Sequence, residues 1–359
     1  MATAKKKAAL TRVTPANFDP DGPAPADSGI YGLPFSFDDS GVVILPVPYE
    51  ATTSYGGGTS GGPAAVLEAS RQVDLHDHET GTPYRVGIAM LPIAKKVVTW
   101  NSDAKKLAAG VIKAGGAGEN KRLKKALVQV NEIGARLNDW VFEETTRLLD
   151  SGKHVVTLGG DHAVPFGAIR AHAEKYPGLG ILHLDAHADL RDAYEGFTWS
   201  HASIFHNVMS RLPKVAKLVQ VGVRDLGNAE NEFIKSSGGR IVTFFDSDMA
   251  EQKDRGEPFA TIADRIVAEL PRDIYLSWDI DGLDPTLCPG TGTPVPGGLS
   301  WNEAIGLLRA IKRSGKRIVG LDLCEVSPGE TEWDANVGAR LLYKMIGYML
   351  VSQGLVASG

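Results

Sequence analysis

The sequence predicts an α/β protein: a three-layer α/β/α sandwich around a mainly parallel central sheet. Three observations predict it. Short apolar runs rich in Val, Ile and Leu recur along the 359 residues, each closing on polar residues or glycine. Their apolar character is continuous rather than alternating, as in strands buried on both faces of a parallel sheet. Helical patterns separate many of them, and strand–helix alternation marks the doubly wound folds.

Taken in chain order, Lys5 to Lys7 make the start basic, with no apolar core of signal-peptide length. Residues 1–27 are therefore expected to form a flexible arm, and residues 28–359 one domain. A first strand is expected at Val42–Val47. The stretch SYGGGTSGGP, residues 54–63, lacks both glycine patterns of phosphate-binding loops. It reads as a tight turn near a site rim, leading into a helix through Ala64–Ser70 that Pro63 starts. AAGVIKAGGAGENK, residues 108–121, reads as a surface loop. Leu123, Leu127, Val130, Ile133, Leu137, Trp140 and Val141 recur at steps of three and four, making the stripe of a long helix that stops before Gly152. Further strands are expected at His154–Leu158, Gly180–Leu184, Leu218–Val223, Arg240–Phe245, Ile274–Trp278 and Arg317–Leu323. Ala335–Gln353 reads as a long, largely buried terminal helix.

Composition narrows the function. A formal net charge of −5 gives no sign of a nucleic-acid partner. No apolar run is long enough to span a bilayer, so no membrane partner is expected. Cys288 and Cys324 form no C-x-x-C pair, which fits a reducing, cytoplasmic location.

The charged residues cluster where strands end, the edge at which open α/β sheets bind ligands. TLGGDH ends in Asp161 and His162; LHLDAHAD carries Asp185, His187 and Asp189; LSWDIDGLDP carries Asp279, Asp281 and Asp284; GLDLCEVSP carries Asp322 and Glu325. In a straight strand Asp185 and Asp189 would stand about 13 Å apart, so the chain must curl after the strand if both are to serve one centre. Asp161, Asp284 and Asp322 are expected to be capping or turn acids. His162, Asp185, His187, Asp189, Asp279 and Asp281 are another matter. Four acids at one sheet edge repel one another without cations. With two imidazoles they suit an open site for two divalent ions, Mn, Ni, Fe or Zn. His183 is expected to be a core histidine or one that supports a ligand.

GGDH, DAHAD, SHAS and SWDIDGLDP, in this order, resemble the ureohydrolase family, whose members include arginase and agmatinase. The resemblance runs from the first strand to the terminal helix. It implies two Mn or Ni ions per subunit. His162, Asp185, Asp189 and Asp279 would hold one, and Asp185, His187, Asp279 and Asp281 the other, with Asp185 and Asp279 shared. It implies that water activated between the ions attacks a guanidinium carbon, releasing urea and an amine. It implies a proton-shuttling role for His201, in WSHAS, and a guanidinium-binding role for Glu325, in CEVSP. It also implies a homotrimer or homohexamer.

The loop LRDAYEGFTWSHAS resembles the agmatinase branch more than arginases. Agmatine is therefore the first substrate expected, with Glu195 and Asp192 as candidates for its distal ammonium. Trp199, Trp278, Tyr194 and Trp333 are candidates for narrowing the pocket. LCPGTGTPVPGG resembles a group that includes nickel-dependent guanidine hydrolases, so free guanidine or a small substituted guanidine is the alternative. A single-zinc deacetylase-like amidohydrolase and a non-catalytic partner subunit are the remaining alternatives.

Overall fold

The computed structural model describes residues 18–357. Eight strands form one sheet: β1 Val42–Val47, β2 Ile88–Met90, β3 His154–Gly159, β4 Leu179–Leu184, β5 Val215–Val223, β6 Ile241–Phe245, β7 Asp273–Asp279 and β8 Arg317–Cys324. Their order is β2-β1-β3-β8-β7-β4-β5-β6, and every pairing is parallel. The helices are α1 Gly62–Ser70, α2 Lys95–Lys113, α3 Lys121–Asp150, α4 Phe166–Lys175, α5 Ile204–Arg211, α6 Asn228–Ser236, α7 Asp246–Asp254, α8 Phe259–Ala268, α9 Trp301–Ser314 and α10 Trp333–Ser352.

Alternate strand residues serve opposite faces of the sheet. Val156, Leu158, Leu182 and Leu184 join the core that α1, α8, α9 and α10 close. Leu45, Val47, Leu179 and Ile181 join the core under α2, α3, α4 and α5. The sandwich thus has the three layers expected, and the sheet is parallel throughout. The apolar runs mark seven of the strands. The eighth, β2, has three residues at the sheet edge, too short to form such a run.

Two local expectations are corrected. Residues 108–121 are not one loop. Ala104, Ala108 and Val111 sit at a four- and three-residue spacing, are fully buried, and extend α2 to Lys113 despite Gly110. Only residues 114–120 connect, and Asn120 then caps α3 by accepting from the N–H groups of Arg122 and Leu123. Of the arm expected over residues 1–27, residues 1–17 lie outside the described residues, while Phe18 packs with its ring 6.4 Å from that of Tyr84.

All strands being parallel, their carboxyl ends lie at one edge of the sheet. The central neighbours β3, β8, β7 and β4 are the strands that precede His162, Glu325, Asp279 and Asp185. Register sets their level: Leu184 pairs with Trp278 and Asp279 with Cys324, so Asp185, Asp279 and Glu325 leave the sheet side by side. The Glu325 N–H donates to the Gly160 carbonyl at 2.8 Å, tying the β3 and β8 ends together.

This convergence leaves no room at Gly160, where a Cβ would stand 1.8 Å from the Tyr49 carbonyl oxygen. Gly160→Ala is expected to destabilise the fold by about 1–3 kcal/mol through overpacking and to shift the turn carrying His162. Gly306→Ala, where a Cβ meets only the Phe259 ring at 3.5 Å, is the control, expected to be neutral or stabilising. Urea unfolding of both variants checks this; equal midpoints would refute the account of Gly160.

Candidate metal centre

β4 ends at Leu184, and the chain then curls as the spacing of DAHAD demands. Asp189 takes a left-handed backbone, φ 53°. The Ala186 carbonyl accepts from the N–H groups of Arg224 and Asp225 at 2.8 and 3.0 Å, which pins the curl to the end of β5. Asp185 and Asp189 therefore meet: His162 Nδ1 lies 3.1 Å from Asp185 Oδ2, 3.5 Å from Asp189 Oδ2 and 3.5 Å from Asp279 Oδ2. A second focus lies beside it, where His187 Nδ1 is 3.3 Å from Asp185 Oδ1 and 3.1 Å from Asp281 Oδ2. Asp185 thus presents one oxygen to each focus. Asp279 Oδ2 faces the first, and its Oδ1 accepts from the Asp281 N–H at 2.8 Å. The six residues expected to act together are brought together.

Hydrogen bonding orients these groups. The Ser277 hydroxyl lies 2.9 and 3.0 Å from the Asp322 carboxylate oxygens and donates to that carboxylate. His162 Nε2, 2.9 Å from the same hydroxyl, is then its donor. The lone pair of Nδ1 is left facing the carboxylates, as a ligating nitrogen requires. Asp281 Oδ1 accepts from the Ala186 N–H at 2.9 Å. Asp322 is thus the outer support of a histidine rather than a simple turn acid. Asp284, which accepts from the Thr286 N–H and hydroxyl at a solvent-exposed turn, is the turn acid expected.

The electrostatics test whether cations fit here. Burial, then the charges of Asp185 and its neighbours, push the carboxyls of Asp189 and Asp281 up. Burial, then Asp281 and Asp185, push that of Asp279 up. Burial pulls His187 down, but hydrogen bonds to Asp185 and Asp281 outweigh it and push it up to about 12. A divalent cation between these groups would relieve the repulsion that raises the acids. Four carboxylates and two neutral imidazoles are a hard-to-borderline donor set suited to Mn or Ni, so the residues fit a two-ion centre. Cys324 also lies near His162, with Asp322. Burial, then Asp322, hold its thiol well above the usual range.

A cleft of about 230 Å³ opens from this centre, lined by Ser54, Tyr55, His187, Asp189, Arg191, Tyr194, His201, Ala202, Asp225, Glu230 and Thr293. His201 faces it from a 3-10 turn that Ser200 caps, and its buried Nδ1 has no partner. Glu325, at φ 61°, accepts from the His162 N–H through Oε1, while Oε2 is buried and unpartnered. The glycine-rich turn lies at the rim as expected: Gly57 and Gly58, at φ 102° and 100°, carry the chain from Tyr55 into α1. A larger hollow of about 900 Å³, walled by residues 18–36 and 71–75, lies away from the strand ends.

The candidates for the substrate tail fare differently. Trp278 is fully buried in the core beneath the site, because strand alternation turns it away from Asp279. Trp199 packs against Phe166 and under Arg211, in a separate hollow. Asp192 is 94% exposed, beside His206. Glu195 takes φ 53° at the apex of the turn between Tyr194 and Phe197, off the cleft wall. Trp333 starts α10 and donates to the Thr286 carbonyl. Tyr194 alone among these lines the cleft. Tyr55, Arg191 and Asp225 were not anticipated there; the polar end of the β5 run, at GVRD, is the signal that would have found Asp225.

A family profile described as the Arginase family matches residues 40–347. The chain is 35% identical to an N(1)-aminopropylagmatine ureohydrolase of Thermus thermophilus, over 87% of this chain and 91% of that one. It is 31% identical to an agmatinase of Bacillus anthracis, over 82% and 86%. A crystal structure of a hypothetical agmatinase from Burkholderia thailandensis superposes with a TM-score of 0.67 at 26% identity, covering 91% of both chains.

Asp185 being the carboxylate common to both foci, Asp185→Ala is expected to lose both ions. Elemental analysis after gel filtration would then find less than one ion per chain, with the fold retained by circular dichroism. Two ions retained would overturn the assignment.

Proposed function

Because this chain belongs to the arginase family, and is by that membership a ureohydrolase acting on C–N bonds, we propose that its substrate is an agmatine-class guanidino amine. Agmatine is the first choice and its aminopropyl derivative an extended member of the same class. The observation that carries this is the cleft: it starts at the paired carboxylate foci and continues past Tyr194 to Asp225 and exposed Tyr55. A four-atom guanidine would fill only its base. The indoles of Trp199 and Trp278, candidates for closing the site around so small a molecule, are packed elsewhere. Asp225 offers a solvent-facing carboxylate for an ammonium. Arg191 also lines the mouth, but its guanidinium lies 5.1 Å over the Tyr194 ring and 3.6 Å from Glu230, which compensates its charge.

His162, Asp185, Asp189 and Asp279 would hold one ion, and Asp185, His187, Asp279 and Asp281 the other. Two such ions, when bound, lower the pKa of a water held between them. Glu325 Oε2 is free to accept from the guanidinium and orient its carbon. The imidazole of His201, lowered first of all by burial, stands in the cleft to take and return the proton that the leaving amine needs. The proposal extends to a homotrimer or homohexamer in a reducing, cytoplasmic compartment. Both cysteines are free and buried, and no helix among the described residues is long and apolar enough to cross a membrane.

Two measurements test this. Urea release should be followed with agmatine, N(1)-aminopropylagmatine, free guanidine and arginine, each with Mn and with Ni. The amine-bearing substrates are expected to lead in kcat/KM by about 10–100-fold, the worth of one charge-assisted hydrogen bond. A lead for free guanidine would refute the tail-reading cleft. His201→Ala should keep both ions and lose about 10²–10⁴ in kcat, whereas Glu325→Gln should lower kcat/KM by about 10–100-fold. Wild-type kinetics in either variant would remove that residue from the mechanism.

A further inference from the structure

His183 lies two residues before Asp185 in β4, so both side chains project from the same face of the sheet. Both are fully buried. His183 Nε2 lies 2.8 Å from Asp185 Oδ2, and Nδ1 lies 3.0 Å from Gln220 Nε2. Proximity alone would let His183 count as a ligand, since it falls within one metal-compatible group with His162, Asp185 and Asp189.

Its neighbours decide otherwise. The Gln220 amide can face only one way: Nε2 donates to the Ala188 carbonyl at 2.7 Å, and Oε1 accepts from the Thr243 hydroxyl at 3.0 Å. An NH₂ group therefore faces His183 Nδ1, which must be the acceptor. The ring proton is on Nε2, and it is donated to Asp185. A nitrogen carrying that proton cannot ligate. The Phe205 ring, 3.9 Å away between centroids, seats the imidazole.

We propose that His183 is a positioning residue. The relay Thr243–Gln220–His183 fixes one imidazole tautomer, whose N–H holds Asp185 Oδ2 at the first metal position. The His187 N–H, 2.6 Å from Oδ1, holds the other oxygen at the second. The shared carboxylate is thereby clamped at both ends before any ion arrives. Gln220 and Thr243 come from β5 and β6, strands that supply none of the six ligands, so the outer half of the sheet acts on the centre through this relay. The inference rests on Asp185 being the shared ligand.

The test uses the full chain and Mn²⁺, with affinity measured by competition against a chelator. His183→Met keeps apolar bulk against Phe205 but removes the donor; His183→Gln keeps a donor of similar reach. Wild type should bind two ions. The Met variant should lose about 10–100-fold in affinity, as for other supports of metal ligands, and the Gln variant should regain most of it. Gln220→Glu, which withdraws the amide donor, should weaken binding in the same direction. The metal-free proteins should unfold at similar temperatures. Wild-type affinity in the Met variant would overturn the proposal. So would a Gln variant as weak as Met with an equally lowered metal-free midpoint, which marks packing alone. Fewer than two ions in wild type would instead overturn the two-ion reading beneath it.

Discussion

Repulsion among four buried carboxylates is the constraint around which the rest of this structure is arranged. Asp185, Asp189, Asp279 and Asp281 are each no more than 5% exposed. Two unit charges about 4 Å apart interact by roughly 4 kcal/mol at an effective dielectric of about 20, so several such pairs rival the whole stability of a domain. The groups respond as the physics requires: burial and mutual repulsion push the carboxyls of Asp189, Asp279 and Asp281 up, while that of Asp185, raised by burial, is held well below the usual range by its hydrogen bonds to His162 and His183. Nothing in ordinary packing favours such a collection. It persists because neighbouring strands and three backbone N–H groups hold the acids in place, and a serine–aspartate pair holds His162, for countercharges to bind between them.

The backbone shows where holding them is hardest. Four non-glycine residues among those described have positive φ, and two of them, Asp189 and Glu325, sit at the centre itself. Glycine would adopt these conformations freely, but it carries no carboxylate. Strain of about 1–3 kcal/mol per residue is what an acid needs in order to turn back toward strand ends from which an extended chain would carry it away. The parallel register complements this, since it delivers Asp185 and Asp279 level with one another, and Glu325 one residue beyond, before any loop has to curl.

What could be read from the sequence follows the same division. Buried parallel strands are continuous apolar runs, so seven of the eight were visible, and the acids after them marked the working edge. β2 was invisible because three edge residues make no pattern, and the end of α2 was masked by glycines next to a true loop. The tail residues failed for reasons of parity and reach. Trp278 is one residue from a ligand and for that very reason faces the opposite layer. Trp199 and Asp192 belong to a loop whose hairpin at Tyr194–Phe197 directs only Tyr194 inward. Motif proximity locates a loop near a site; it does not say which of its side chains turn toward it. Asp225 stands beside His187, bridged to it at the end of β5, and Tyr55 reaches the cleft from the turn before α1, so both arrive from segments distant in sequence from DAHAD.

The base of the cleft and its mouth are therefore built by different means. The base is formed by His187 and Asp189 on the curl after β4, against the acids at the end of β7, whose positions are set by the sheet and by hydrogen bonds. The mouth comes from Ser54, Tyr55, Arg191, Tyr194 and Asp225, carried on turns outside that central set. Under the function proposed above, a guanidinium would need only the base: the unpartnered carboxylate oxygen of Glu325, the paired foci, and a histidine with an unpartnered nitrogen. The rest of the substrate meets only the turns. Substitutions at Tyr55, Tyr194 or Asp225 can thus retune which amine is accepted without disturbing the acids beneath. On that proposal the chemistry of this chain would be anchored in its strands, and its choice of substrate in its turns.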